Sequence, residues 1–314
     1  MCHAPAMNCD MTYHPAPHAA PLPDGAFTVV IPTWNNLPYL RLCVDTLRRH
    51  SDRPHQIVLH INEGTDGTLE WAQKEGLDFT HTPANTGICW GVNAARTLAR
   101  TPYLLYLNDD MAVCPGWDTA LRRAAAEAPQ DRWCLSGTMI EPYPTNSRPV
   151  IAPHDFGHSP DDYDEPHLHA ALPSLAKPDW SGSTRPPVLV PVALWDLVGG
   201  YSVELSPGLY TDPDFTMKLW QAGIRHFRGV GDSLVYHFVS KTLSRLRPND
   251  GRRQFLAKWG ISAAVFQREI LHLGAPWTGP LPDRPAPTPS YRRALLKNRL
   301  VRRFLPPSLP PLGD

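Results

Sequence analysis

The sequence predicts an α/β fold built on a mostly parallel, twisted sheet flanked by helices. Short apolar runs alternate with amphipathic stretches through the first half, the pattern of successive βαβ units. The apolar runs are rich in β-branched residues with few polar interruptions, as strands buried on both faces must be. With 314 residues and 42% hydrophobic side chains, the chain has the means to bury a sizeable core.

Phe27–Ile31 is the first strand. Asn36 is positioned to cap the helix that follows, with Pro38 in its first turn and Leu40, Val44 and Leu47 along one face. Gln56–Ile61 and Asp78–His81 are the next strands, separated by a helix over Thr68–Glu75. A helix over Gly91–Arg100 leads into the strand Tyr103–Leu107, which ends directly on Asn108-Asp109-Asp110. A helix over Trp117–Glu127 and a strand over Trp133–Thr138 complete this half. Residues 141–187 are dense in Pro, His and acids and lack periodicity, so they are expected to form a long functional loop. Regularity resumes with a strand at Val188–Val192, a helix from about Asp212, strands near 225–227 and 233–237, and a helix bearing Phe255 and Trp259.

Bulk properties narrow the function. Lys+Arg and Asp+Glu balance at 30 each, so no global field favours nucleic acid. The cysteines at 2, 9, 43, 89, 114 and 134 form no Cys-x-x-Cys pair, which suits reduced thiols in the cytoplasm. No apolar run is long enough to span a membrane, and the N-terminus lacks the apolar core of a secretory signal. Residues 1–24, rich in Pro, Ala and His, are expected to be a disordered leader.

In an open parallel sheet, ligands bind at the carboxyl ends of the strands. Asn108-Asp109-Asp110 lies there, and two adjacent carboxylates call for a cation or a network of donors to offset their repulsion. A hard divalent ion with oxygen ligands answers that need; the competing reading is a chain turn with a helix cap. Context favours the ion. Pro32-Thr33-Trp34-Asn35-Asn36, Asn62-Glu63-Gly64-Thr65-Asp66-Gly67-Thr68 and Asn85-Thr86-Gly87 with Gly91-Val92-Asn93 follow the other three strands. Polar, partly Gly-bearing loops at one sheet edge are how a nucleotide site is made.

These motifs, in this order, resemble a family 2 glycosyltransferase of the GT-A fold. The resemblance runs on through Val198-Gly199-Gly200-Tyr201, Thr211-Asp212-Pro213-Asp214-Phe215 and Val235-Tyr236-His237, covering about residues 26–260. It implies a nucleotide-sugar-binding half at 25–138 and an acceptor-binding, catalytic half at 139–274. It implies Mn²⁺ or Mg²⁺ held by Asp110 and His237, with Asn108 and Asp109 against the donor ribose and diphosphate. Pro32, Thr33, Asn35, Asn62, Asn85, Gly87 and Asn93 would complete the donor site. Asp212 would be the general base of an inverting transfer and Asp214 its support, although Asp212-Pro213 also reads as a helix N-cap followed by Pro at the first helical position. Asn62 stands where the family usually has an aspartate accepting from uracil, the loop after it is one residue shorter, and Asn108 and Thr211 replace acids. A UDP- or dTDP-sugar donor is expected, with a glycan or lipid-linked acceptor met by Trp195 and Tyr201.

Pro-rich residues 275–290 read as a linker to a basic tail. In that tail Leu296, Leu300 and Phe304 recur every four residues among six Lys/Arg between 291 and 305, an amphipathic helix suited to peripheral contact with an anionic membrane. The stretch from His154 to His169 holds four histidines but fits no familiar metal-ligand spacing. Two other functions remain open. A sugar nucleotidylyltransferase would need a Gly-rich basic loop after the first strand, which Pro32–Asn36 is not. A catalytically silent nucleotide-sugar or glycan-binding protein would need no base, yet every candidate catalytic position carries a competent residue.

Overall fold

The computed structural model describes residues 10–17, 21–183, 185–240 and 250–303. Ten strands form one sheet in the order β1-β4-β3-β2-β5-β9-β7-β10-β6, with β8 (Trp180–Ser181) paired beside β10. Four parallel strands make one half: β2 (Thr28–Trp34), β3 (Gln56–Asn62), β4 (Asp78–Thr82) and β5 (Tyr103–Tyr106). β9 (Val188–Pro191) runs antiparallel between β5 and β7 (Trp133–Ile140), which restores the original direction in β7 and in its parallel neighbour β10 (His226–His237). Six strands therefore point their carboxyl ends at one edge. The residues just before β9 reach that edge too, because β9 starts there.

The sequence-predicted elements of the first half form within a few residues of their expected limits. α1 (Leu37–His50), α2 (Thr68–Lys74), α3 (Gly87–Arg96) and α4 (Trp117–Glu127) cross between the strands. Asn36 sits at the N-cap of α1 but makes no capping bond; Asp66, from the loop after β3, accepts from the Leu37 amide at 2.8 Å instead. Apolar side chains pack on both faces of the sheet, one cluster including Leu40, Leu59 and Trp117 and another including Val92, Trp195 and Phe215. α3 lies tight against this sheet edge at Gly87, whose φ of +80° suits glycine and whose absent Cβ would stand 2.6 Å from the Cα of Pro207.

Three regions differ from expectation. Thr12–His14, inside the expected leader, forms β1 and pairs antiparallel with β4 at the sheet margin. The expected loop at 141–187 contains α5 (Glu165–Leu175), whose start is capped by Asp164, together with β8. Short apolar spacing and two prolines inside α5 hid it from periodicity. The two late strands are one strand, β10, with a register shift between Gly229 and Leu234. α6 (Val192–Leu197) and α7 (Thr211–Gln221) precede β10, and α8 (Gly251–Trp259), α9 (Ala263–Val265) and α10 (Pro289–Arg302) follow it, the last being the expected basic helix. Phe304 falls outside the described residues.

Candidate active site

The chain leaves β5 at Tyr106 and rejoins the sheet at β6 (Met111–Val113), on the far side of β9, β7 and β10. Asn108-Asp109-Asp110 is the bridge. It runs along the carboxyl edge and floors a cleft of about 570 Å³. β6 pairs antiparallel with the end of β10, setting His237 opposite Met111, and the Phe238 amide donates to the Asp110 carbonyl at 3.1 Å. Strand register thus brings residues 110 and 237 together.

Asp110 and His237 face each other at 3.4 Å, Oδ1 to Nε2, and the Ser240 amide donates to Asp110 Oδ2 at 2.8 Å. On its other side the His237 ring meets Glu141 through Nδ1 at 2.9 Å. Burial disfavours ionisation of Asp110, but the imidazole and the Ser240 contacts outweigh it and hold the carboxyl below its ordinary value. For His237, burial disfavours the cation, yet the field and hydrogen bonds of Asp110 and Glu141 prevail and raise it to about 10. Two carboxylates around one imidazole form a donor set for a divalent cation. Glu141 engages Nδ1, which leaves Nε2 and Asp110 as the inner donors, the arrangement in which a second carboxylate orients a metal-bound histidine.

Thr33, at the end of β2, donates through its hydroxyl to Asp109 Oδ2 at 2.7 Å, and Tyr106 donates to Asn108 Oδ1 at 2.8 Å. Pro32, Thr33, Asn62, Asn85 and Gly87 all line the same cleft. Asn62 is also a structural hub. Its Oδ1 accepts from the Thr86 amide at 2.8 Å and its Nδ2 donates to the Thr33 carbonyl at 3.3 Å. Those backbone partners fix which amide atom is which, and the hydroxyls of Thr82 and Thr86 also donate to Oδ1. Three donors thus converge on the Asn62 oxygen.

Across the cleft, Asp212 enters from the first turn of α7. The N-cap is Tyr210, held at φ +71°, and not Asp212 as the sequence suggested. Desolvation raises the Asp212 carboxyl to about 6, against the field of Arg185 and a 3.3 Å hydrogen bond from the Tyr201 hydroxyl, both of which pull it down. Asp214 is fully buried and locks α7 to α8. Its Oδ1 accepts from Trp259 Nε1 at 2.7 Å and meets Lys258 at 3.0 Å, while the Ser202 hydroxyl donates to Oδ2 at 2.5 Å.

Four expected contact residues lie elsewhere. Asn93 spends both amide atoms on Tyr201, donating to its carbonyl and accepting from its amide at 2.8 Å each. Asn35 is occupied by Glu63 at 3.0 Å and the Thr65 amide at 2.9 Å. Trp195 and Tyr201 are 3% and 2% exposed and form a cluster with Phe215 and Tyr106 beneath the cleft, so they pack under its floor and do not line it. Trp180, 2% exposed, is likewise core. Trp34, Arg185, Tyr210 and Gln267 line the cleft and were not anticipated.

Residues 28–174 match the family model described as glycosyl transferase family 2. Among solved structures, the chain is similar to residues 1–349 of TarS from S. aureus, at 16% identity and a TM-score of 0.53, over 89% of this chain and 72% of that one. The same TarS segment solved with UDP-GlcNAc matches at 17% identity and a TM-score of 0.52, with equal coverage. GalNAc-T7, solved with UDP, GalNAc and Mn²⁺, matches at 15% identity and a TM-score of 0.51, over 72% of this chain and 44% of that one. No curated protein matches the chain in sequence. Fold and family model together define a glycosyltransferase of the GT-A class. Within it, residues 28–174 are the stretch similar to family 2.

Proposed function

We propose that this enzyme transfers a sugar from a nucleotide diphosphate donor, UDP- or dTDP-linked, to a hydroxyl of a glycan or lipid-linked acceptor, with inversion at the anomeric carbon. The observation that carries the reading is one cleft with the Asp110/His237/Glu141 cluster on one wall and an Asp212 carboxyl raised to about 6 on another. Such a carboxylate is largely ionised at neutral pH, yet more basic than an ordinary aspartate. Asp212 accepts the acceptor's hydroxyl proton as that oxygen bonds to the anomeric carbon. The bond from that carbon to the donor's phosphate oxygen breaks, and the nucleoside diphosphate leaves. With one base and no second positioned nucleophile, a single displacement inverts the centre.

Asp109, fixed by Thr33, and Asn108, fixed by Tyr106, are set to meet the donor ribose and diphosphate, and the Arg185 guanidinium adds positive charge for the phosphates. Asn62 lines the cleft, and its amide N–H suits a pyrimidine carbonyl, which uracil and thymine both offer. Asn85 and Gly87 close this side of the donor site. A bound Mn²⁺ or Mg²⁺, held by Asp110 and His237, would supply Lewis acidity to the departing diphosphate. The exposed face of α10, where Leu296 and Leu300 stand among Arg and Lys, suits an anionic membrane carrying lipid-linked acceptors.

The test pairs two variants in a thermal-shift panel of nucleotide sugars with and without Mn²⁺. Asp110→Ala is expected to lose Mn²⁺-dependent donor binding, and Asp212→Asn to keep binding while losing turnover. Transfer at the wild-type rate in Asp212→Asn would remove the base assignment.

A further inference from the structure

Away from the cleft, the C-terminal end of α1 meets the start of α5. His50 is the last residue of α1, and Glu165 and His169 share one face of α5 at a spacing of four. His50 Nε2 lies 2.9 Å from Glu165 Oε1, and His169 Nε2 lies 4.0 Å from the same oxygen. The two imidazoles stand edge to face with centroids 4.8 Å apart. One ligand atom from each of the three residues lies within 4.8 Å of the others.

We propose that His50, Glu165 and His169 form a second metal site, for Zn²⁺, that fastens α5 to α1. Two imidazoles and one carboxylate converging on a point, with water as a fourth ligand, are a zinc donor set. Tetrahedral ligands about 2.1 Å from zinc stand roughly 3.4 Å apart, so the 2.9 and 4.0 Å separations to Glu165 need adjustments of about half an ångström, and the two imidazole nitrogens, within 4.8 Å, close by a rotation of the side chains. His169 Nε2 is buried and has no hydrogen-bond partner. Such an atom has lost water without replacement, a cost that a bound cation removes.

Arg49 is the competing partner, with Nη1 and Nη2 on Glu165 at 2.9 and 3.0 Å. Its Nη1 holds Oε2, the oxygen that faces neither imidazole, and its Nε keeps Asp45 at 2.7 Å. Zinc displaces the Nη2 contact with Oε1 and the 3.0 Å contact of Nη1 with His50 Nε2, while the guanidinium, still on Oε2, orients the carboxylate from behind. Tyr163, just ahead of α5, stacks on Tyr236 at 5.7 Å between ring centroids, one residue before His237. The site therefore steadies the segment that backs the catalytic cluster without touching the cleft.

The experiment uses the full chain carrying Asp110→Ala, so that the cleft does not contribute. After chelation and dialysis against Zn²⁺, elemental analysis is expected to give one zinc per chain, and Co²⁺ substitution a visible d–d band of tetrahedral intensity. Adding His169→Gln or His50→Gln is expected to weaken zinc binding at least tenfold and to abolish the zinc-dependent rise in Tm, with far-UV circular dichroism verifying that each variant folds. Zinc bound equally by the folded Gln variants, or none bound by Asp110→Ala itself, would overturn the proposal.

Discussion

Asp212 offers the sharpest quantitative expectation. With its carboxyl raised to about 6, roughly half is ionised at pH 6, about a tenth at pH 5 and about nine-tenths at pH 7. The acid limb of the kcat–pH profile should therefore fall near pH 6, about two units above that of an ordinary aspartate. Tyr201→Phe removes the hydroxyl that donates to Oδ1 while keeping the ring packed on Trp195 and Phe215. A hydrogen bond to a charged acceptor contributes about 1.5–3 kcal/mol, and at 3.3 Å this one belongs at the low end. At 1.36 kcal/mol per unit, the acid limb should move up by about one unit. Turnover would then drop about twofold at pH 7, roughly tenfold well below the limb, and recover by pH 9, with donor KM nearly unchanged. The assay is nucleotide release against pH with saturating donor. A wild-type limb near pH 4, or the same limb in Tyr201→Phe, would refute the assignment of Asp212 as base.

Other perturbations follow from the same geometry. Arg185→Ala should raise donor KM about tenfold or more and shift the acid limb upward, since Arg185 stabilises the Asp212 anion; initial-rate kinetics over pH 5–9 read both effects. Asn93→Ala cuts both bonds to the Tyr201 backbone and should cost about 2 kcal/mol in urea unfolding. Through Tyr201 it should lower kcat more than it changes donor affinity. Because the folded-state value of Asp212 lies above that of the unfolded chain, the native protein binds more protons between about pH 4 and 6, and stability falls as pH rises through that window. Asp212→Asn removes that cost, so its Tm at pH 7.5 should exceed wild type by a few degrees in calorimetry. Leu296→Glu with Leu300→Glu should abolish co-sedimentation with anionic liposomes while leaving turnover on a soluble acceptor intact; equal pelleting would remove the membrane role of α10.

Much of this was legible in the chain. Local rules suffice for β2 to β5 and their helices, because each strand is a short stretch of buried, mostly β-branched, aliphatic or aromatic residues and each loop carries its own turn residues. The triplet, His237 and Asp212 were placed by motif order, and the register of β10 against β6 accounts for the first two meeting. Glu141 could have been found: it is the first charged residue after the wholly buried strand β7, directly after Ile140. Arg185 had no local signal, since it reaches the cleft only because β9 runs antiparallel and begins at the carboxyl edge. Asn93, Trp195 and Tyr201 misled for one reason. Polar and aromatic residues near a site are spent as readily on bracing it as on touching ligand, and only the partners of Asn93 and the burial of the rings decide which.

The bridge from β5 to β6 has a consequence for assembly. Asp110 acquires its imidazole partner from a strand more than a hundred residues later, and β6 pairs only with that strand among the described ones. A fragment ending at 174, where the family model stops, holds the acidic triplet but neither the strand that positions it nor His237 and Asp212. Closing so long a loop is entropically costly and slow compared with the local βα pairings. Ion-binding competence should accordingly emerge late in refolding, after the parallel half has formed. The pairing of Asp110 with His237 then reports completion of the whole sheet, and the segments before and after β7 cannot be traded as independent modules.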